Sequence, residues 1–369
     1  MINRLYTLFL SLFVSLVAYG QTAGTIASKD AMLYDSSRHL YEKGNKLTIV
    51  SKDLEWPKGL GGSVLTELQQ YLTAFFFGQA SDSYDAGWKQ FESLQGKEVH
   101  AIKDDTGTER RYYDMVLRCL WLEQGRYVSF LARLEERNET SVITQKYSYF
   151  TFDLINKKVL TQKDVFNQTR MWQDANIRNQ FCELLDYMAN THTADSIDWD
   201  HLPKQFALEG QNIRFDLGVD KSGGVYSDVT DDMVDVLFSK DFKRWMKQKV
   251  STEGKTNLPM EAVYTTLPTD SVFPEVLPQF QGNVAAAIGQ SLSYTSITPE
   301  TTPVNKTFVS FIVDSDGSLK DITFLTVNNI ELNRAIAAAL QLLTGWKPAM
   351  HNGKPVACRY NLPLILHFQ

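Results

Sequence analysis

The residues of this chain whose types could support metal, redox or acid–base chemistry are its histidines, cysteines and clustered aspartates, and their spacing favours structural roles. The six His residues, at 39, 100, 192, 201, 351 and 367, are dispersed. His192 and His201, flanked by Asp195, Asp198 and Asp200, are the close pair. Imidazole and carboxylate together suit zinc, but a polar helix-to-loop connection accounts for the same residues. Asp314, Asp316 and Asp321 invite a calcium reading, yet the ordered ligands and terminal Glu of an EF-hand loop are missing, so a plain hairpin is expected. Asp228, Asp231, Asp232 and Asp235 read as acids favoured by the dipole at a helix start. Cys119, Cys182 and Cys358 are odd in number and lack metal-ligand spacing; buried free thiols are expected, one disulfide being the alternative in an oxidising compartment. There is no Gly-x-Ser-x-Gly, His-Glu-x-x-His, phosphate-cradling Gly loop or Cys-x-x-Cys. No catalytic residue, metal or cofactor is therefore expected. Acid–base hydrolysis by an acid pair stays as an alternative, because sequence cannot show which of the 43 acids face each other.

Chemistry by side chain being poor, recognition by backbone comes forward. The last expected strand, 356–368, contains Pro363, and a residue without an N–H inside a strand belongs at an edge or a bulge. An exposed edge can capture an extended peptide by β-augmentation, with backbone bonds giving affinity and alternate side chains selectivity. The alternative is that this edge is covered by the first domain or by another copy of the chain, a homodimer.

The elements that would hold this strand are readable. Phe308, Ser310 and Ile312 alternate with Val309, Phe311 and Val313 in a half-buried strand. Asp314, Ser315, Asp316 and Gly317 turn the chain into a partner strand over 321–327, with Gly317 supplying the positive φ. Leu332, Ile336, Ala339, Leu340 and Leu343 lie on one face of a helix that Gly345 stops. Trp346, read as a core anchor, and Pro348 lead out, and Asn352, Gly353, Lys354 and Pro355 form a turn before the last strand. Upstream, 252–278 is rich in Pro and Thr and poor in periodicity, a linker with the domain boundary near Thr266. Before it come a short strand at 47–50, helices over 62–77 and 82–94, and three or four successive strands from Tyr112 to Leu160. A helix follows at 171–190, then a hairpin from Phe206 to Leu217 and helices over 231–238 and 240–249. The expected fold class is α+β in two domains: 21–265, a helix-flanked antiparallel sheet with its core at 46–249, and 266–369, an α/β sandwich on a three-stranded antiparallel sheet.

Residues 1–20 carry Arg4, an apolar run to Val17, and Ala18, Tyr19 and Gly20 at the end, the pattern of a secretory signal peptide. The run is too short to span a bilayer, so cleavage near Gly20 and a periplasmic or secreted location are expected, an uncleaved membrane anchor being the alternative. Cleavage removes Arg4 and no acid, taking the formal charge from −6 to −7. That mild acidity disfavours nucleic acid and anionic membrane surfaces as partners.

The C-terminal order resembles the TonB C-terminal domain in the version common in secreted Bacteroidetes proteins. The resemblance rests on Leu277, Pro278, Gln279 and Phe280 with Gly282, on Ser293 and Tyr294, and on Asp316, Gly317 and Ser318. It continues through Leu332, Asn333, Arg334 and Ala335, then Trp346, Lys347 and Pro348, and ends on residues 352–356 with Arg359, Tyr360, Leu362 and Pro363. Thr295 stands where the family usually has Pro. The resemblance implies an extended segment, such as part of an outer-membrane receptor, held alongside the last strand, with Arg359, Tyr360, Asn361, Leu362 and Leu364 as contact candidates. The Pro-rich spacer and membrane helix of an energy transducer are missing if the leader is cleaved. The region 46–249 resembles the extracellular sensor domain of lysozyme-sensing anti-sigma factors and of peptidoglycan-deacetylase accessory modules. That resemblance is carried by residues 127–130, 149–154, 157–160 and 164–166, and by Phe206, Ile213, Arg214 and Phe215. Residues 138–141 replace the family's Gly-Ala-His stretch. The resulting expectation is a non-enzymatic envelope protein that binds a protein or peptide partner, the alternatives being an accessory or enzyme acting on cell-wall glycan, as the second resemblance suggests, or an anchored TonB-like energy transducer if the leader is not cleaved.

Overall fold

The computed structural model describes residues 31–60, 65–102, 107–167, 205–210, 212–215, 225–228, 238–250, 263–265, 274–292, 306–326 and 329–365. The expected leader, the His192 and His201 group, Cys182, the helix expected at 171–190 and, apart from Phe238, the helix expected at 231–238 lie outside them. The chain divides into two compact units. One comprises Lys29–Lys255 and Thr323–Ala337; the other comprises Thr256–Ile322 and Ala338–Gln369.

The larger unit begins with β1 (Ala31–Lys43) and β2 (Lys46–Gly59), an antiparallel hairpin. In β2, Leu47, Ile49, Val50, Leu54 and Trp56 are all buried. Two helices follow, α1 (Thr66–Phe77) and α2 (Tyr84–Gln95). Leu68, Leu72 and Phe76 recur every four residues on the buried face of α1, while Ser83 caps α2 by accepting from the Ala86 N–H. Gly87 lets the two helices close on each other, since a Cβ there would meet the Thr73 side chain at 2.7 Å. β3 (Lys97–Glu98) then pairs with β1.

β4 (Glu109–Glu123), β5 (Tyr127–Asn138), β6 (Val142–Asp153) and β7 (Lys158–Val159) follow as antiparallel neighbours. β4, however, lies parallel to β2. The sheet is therefore mixed, where the sequence led us to expect it antiparallel. The two-helix crossover between β2 and β4 is the reason, because a connection that carries the chain back over the sheet permits parallel pairing.

Phe130 and Phe150 are register partners, and Tyr71 of α1 packs on Phe150 at 4.8 Å. Ser129 and Thr151, one residue along, face the other way. There they meet a small antiparallel sheet of β8 (Phe206–Glu209), β9 (Asn212–Phe215) and β10 (Val225–Asp228). The short helix α3 (Gln162–Val165) and α4 (Lys240–Met246) complete this side around a core of Tyr127, Phe166, Phe206, Phe215 and Phe242.

In the smaller unit, β11 (Val263–Thr265), β12 (Gln279–Phe280), α5 (Val284–Leu292) and β13 (Lys306–Val313) precede β14 (Leu319–Phe324). After α6 (Ile330–Leu342) come β15 (Trp346–Lys347), β16 (Ala349–His351), β17 (Lys354–Val356) and β18 (Cys358–Ile365). Where three strands were expected, β11, β18, β13 and β14 are neighbours in that order. β12 pairs with β15, and β16 with β17. α6 changes allegiance along its length: residues to Ala337 belong to the larger unit and those from Ala338 to the smaller.

Candidate functional site

β18 is positioned by β13, with which it pairs antiparallel from Lys306 opposite Ile365 to Val313 opposite Cys358. Both faces of the strand are engaged. Asn361, Leu362 and Leu364 are buried. Tyr360 stacks on Phe311 at 5.3 Å and meets Trp346 edge-on at 5.4 Å; Trp346 in turn packs on Phe280 at 5.2 Å. The Arg359 guanidinium donates to Ser310 Oγ at 3.1 Å and to the Asp321 carboxylate. What this strand can offer a partner is therefore its backbone rather than these five side chains.

The turn residues hold the strand's neighbours. Gly317 has φ +84°, and a Cβ on it would lie 2.5 Å from the Trp346 carbonyl oxygen, so two constraints select glycine there. Gly353 at φ +72°, after Asn352 at φ +50°, makes the tight turn between β16 and β17. Pro355 stands in β17 opposite Met350, and half-buried Pro348 separates β15 from β16. Pro363 lies inside β18 opposite Phe308.

The outer side of β18 is not bare over Arg359–Asn361. β11 pairs antiparallel there, Val263 opposite Asn361, Tyr264 opposite Tyr360 and Thr265 opposite Arg359. This occupant comes from the stretch that the sequence reads as linker. Three extended residues lie below any periodic signal, although Val, Tyr and Thr are good strand formers.

The aspartates of the hairpin are committed locally. Asp314 pairs with Lys320, Asp316 accepts from the Ser318 N–H and hydroxyl, and Asp321 holds Arg359. For Asp314 the Lys320 ammonium and the Ser315 N–H outweigh its burial, and for Asp316 the Ser318 hydrogen bonds dominate; both carboxyls are lowered from their ordinary value. Cys119 and Cys358 are buried thiols rather than members of a disulfide, and burial pushes both up, Cys358 to about 11.

Two arrangements in the larger unit escaped the sequence reading. The first is a line of polar groups on one face of β1. Ser37 donates to Asp35 at 2.6 Å and stands 3.1 Å from His39 Nε2, while His39 Nδ1 lies 2.9 Å from Glu98. Asp35 also pairs with Lys52 at 2.7 Å, and the Lys52 ammonium sits 3.7 Å above the Trp88 ring and donates to Tyr84 Oη. Serine, histidine and acid stand here in the order of a nucleophilic triad. The serine proton, however, goes to Asp35 rather than to the imidazole, so the group is held rather than activated. The alternation of Asp35, Ser37, His39 and Tyr41 was the available signal.

The second is a cleft of about 560 Å³ beside Tyr71, lined also by Ser148, Tyr149, Phe150, Lys163 and Gln205. Its walls carry hydroxyl, amide and ammonium groups.

No family model matches the sequence, and no curated protein matches it. Among solved structures, the chain is similar to a DUF3298 family member from Bacteroides fragilis NCTC 9343. That similarity has 15% identity and a TM-score of 0.40, over 60% of this chain and 100% of the other. It is also similar to a DUF3298 family protein from Pseudomonas aeruginosa PAO1, at 10% identity and a TM-score of 0.34, over 60% of this chain and 97% of the other. Among the described residues, no helix is long and apolar enough to cross a membrane.

Proposed function

We propose that this chain is a non-enzymatic binding protein of the cell envelope that captures an extended polypeptide segment by pairing it with the outer edge of β18. The observation that carries the reading is the pairing of β11 along Arg359–Asn361, because an edge that takes one extended segment has the geometry to take another. Affinity comes from the β18 backbone, and selectivity from what lies above and below the incoming strand. The TonB-like residues of the C-terminal region, and the leader expected at 1–20, agree with a receptor segment or similar extended chain as partner in the periplasm or outside the cell.

The test is selection from a displayed library of decapeptides against the full chain, followed by amide chemical-shift mapping. Peptides that perturb Arg359–Leu362 support the reading; binders that map elsewhere, or none at all, would sink it.

The cleft beside Tyr71 favours a second reading, in which the larger unit holds a hydroxyl-rich ligand such as wall glycan. Aromatic and amide walls with one ammonium suit such a ligand. Titration with soluble glycan fragments should then give saturable binding that Tyr71→Ala weakens, and unchanged binding in that variant would place the ligand elsewhere.

A further inference from the structure

β18 has eight residues and β11 has three. The two are not joined by a turn: β11 lies before β12, far upstream in sequence, and reaches β18 as a separate segment. On its inner side β18 is paired along its whole length with β13, whereas on its outer side the β11 register covers Arg359, Tyr360 and Asn361. A segment longer than three residues could form more ladder bonds with β18 than the described residues of β11 do.

We propose that β11 is an internal occupant of the capture edge, a tethered strand that an incoming extended polypeptide must displace, so that binding at β18 is strand exchange. The proposal rests on the strand-capture reading above and adds its regulation. A tethered strand competes at an effective concentration of roughly millimolar order. A partner's apparent affinity falls by the fraction of time the edge is vacant, so a vacancy of about one tenth weakens binding about tenfold. Partners would thus be discriminated by length as well as by sequence. Short segments would fail to replace β11, and segments reaching past Asn361 towards Leu362 would succeed.

The probe is a fluorescent peptide with this chain's own sequence at 259–268, titrated to millimolar concentration against three full-length proteins. These are the wild chain, the double variant Val263→Pro with Thr265→Pro, and a chain whose residues 261–267 are replaced by glycine and serine. Each proline removes a backbone donor and fixes φ, which weakens pairing of the short β11, and the glycine-serine replacement guards against a folding defect peculiar to proline. Binding about tenfold tighter to both variants, with faster hydrogen exchange at those amides of Arg359–Asn361 that face β11 when no peptide is present, is the expected result. Equal affinity for all three chains would overturn the internal occupant while leaving strand capture standing. Saturable binding to none would overturn both.

Discussion

At the scale of single residues, buried polar groups decide what can be changed. Thr151 and Ser129 are fully buried on the face of the sheet that meets β8. The Thr151 hydroxyl accepts from the Leu208 N–H at 2.8 Å, and the Ser129 hydroxyl donates to the Leu208 carbonyl at 2.6 Å. Two side chains thus satisfy both backbone groups of one residue in another layer. Thr151→Val keeps the shape and strands the Leu208 N–H, at a cost of about 1–3 kcal/mol; urea unfolding of the two chains measures it. Asp35 makes a complementary case through pH. Burial raises its carboxyl, but the Lys52 ammonium and the Lys52, Ser37 and Tyr84 hydrogen bonds outweigh that, and the group is lowered from its ordinary value. A carboxyl lowered by folding contributes stability above its unfolded value of about 4 and loses it as pH falls through the folded value. The stability gap between the wild chain and Asp35→Asn should therefore be widest near neutrality and close below about pH 4. Denaturant midpoints measured at pH 7, 5 and 3 check it, and a constant gap would contradict the assignment.

At the scale of elements, α6 carries the most informative contact. Glu55 of β2 is fully buried, and its carboxylate accepts from the Cys119 N–H at 2.8 Å and from Arg334 Nη2 at 3.0 Å, with Arg118 Nη1 at 3.5 Å. Removing Arg334 leaves the carboxylate to Arg118, which also serves Asp53. Because breaking a buried pair exposes an uncompensated charge, Arg334→Ala should cost about 3 kcal/mol. Glu331 also contacts Arg334, at 3.2 Å, but is exposed, so Glu331→Gln should cost less than about 1 kcal/mol. Thermal unfolding of the two variants separates these outcomes. The elements also show what a sequence reveals. α1 and α2 were legible because one face of each is apolar at helical spacing, and β5 and β6 because turns bracket β-branched and aromatic runs. β1 was not, since its middle carries the polar line from Asp35 to His39, whose partners come from β2, β3 and α2. The parallel step from β2 to β4 is a property of the crossover, which no local pattern records. Of the candidate site, Pro363 was read as the sign of a strand with one side free, whereas β11 pairs along that side over Arg359–Asn361, and no sequence pattern showed that Asn361, Leu362 and Leu364 are buried. β11 was invisible because three residues carry no period.

At the scale of the whole molecule, the two units are not consecutive stretches of chain. The larger one takes Thr323–Ala337 from within the sequence that otherwise builds the smaller, and with it Phe324, whose ring meets Tyr34 at 5.1 Å, and Arg334. A fragment beginning at residue 266 therefore contains a piece whose packing partners lie in the other fragment. One backbone cut near residue 255 should leave two pieces that elute together in size-exclusion chromatography under native conditions and separate in denaturant; separation without denaturant would contradict the assignment. The same interleaving orders events as the chain emerges, N-terminus first. Synthesis delivers Glu55 long before Arg334, so the larger unit cannot reach its final ion pairing until nearly all of the chain has emerged. Until then a carboxylate destined for full burial has to stay hydrated, and closure of the N-terminal unit becomes one of the last steps in making the protein.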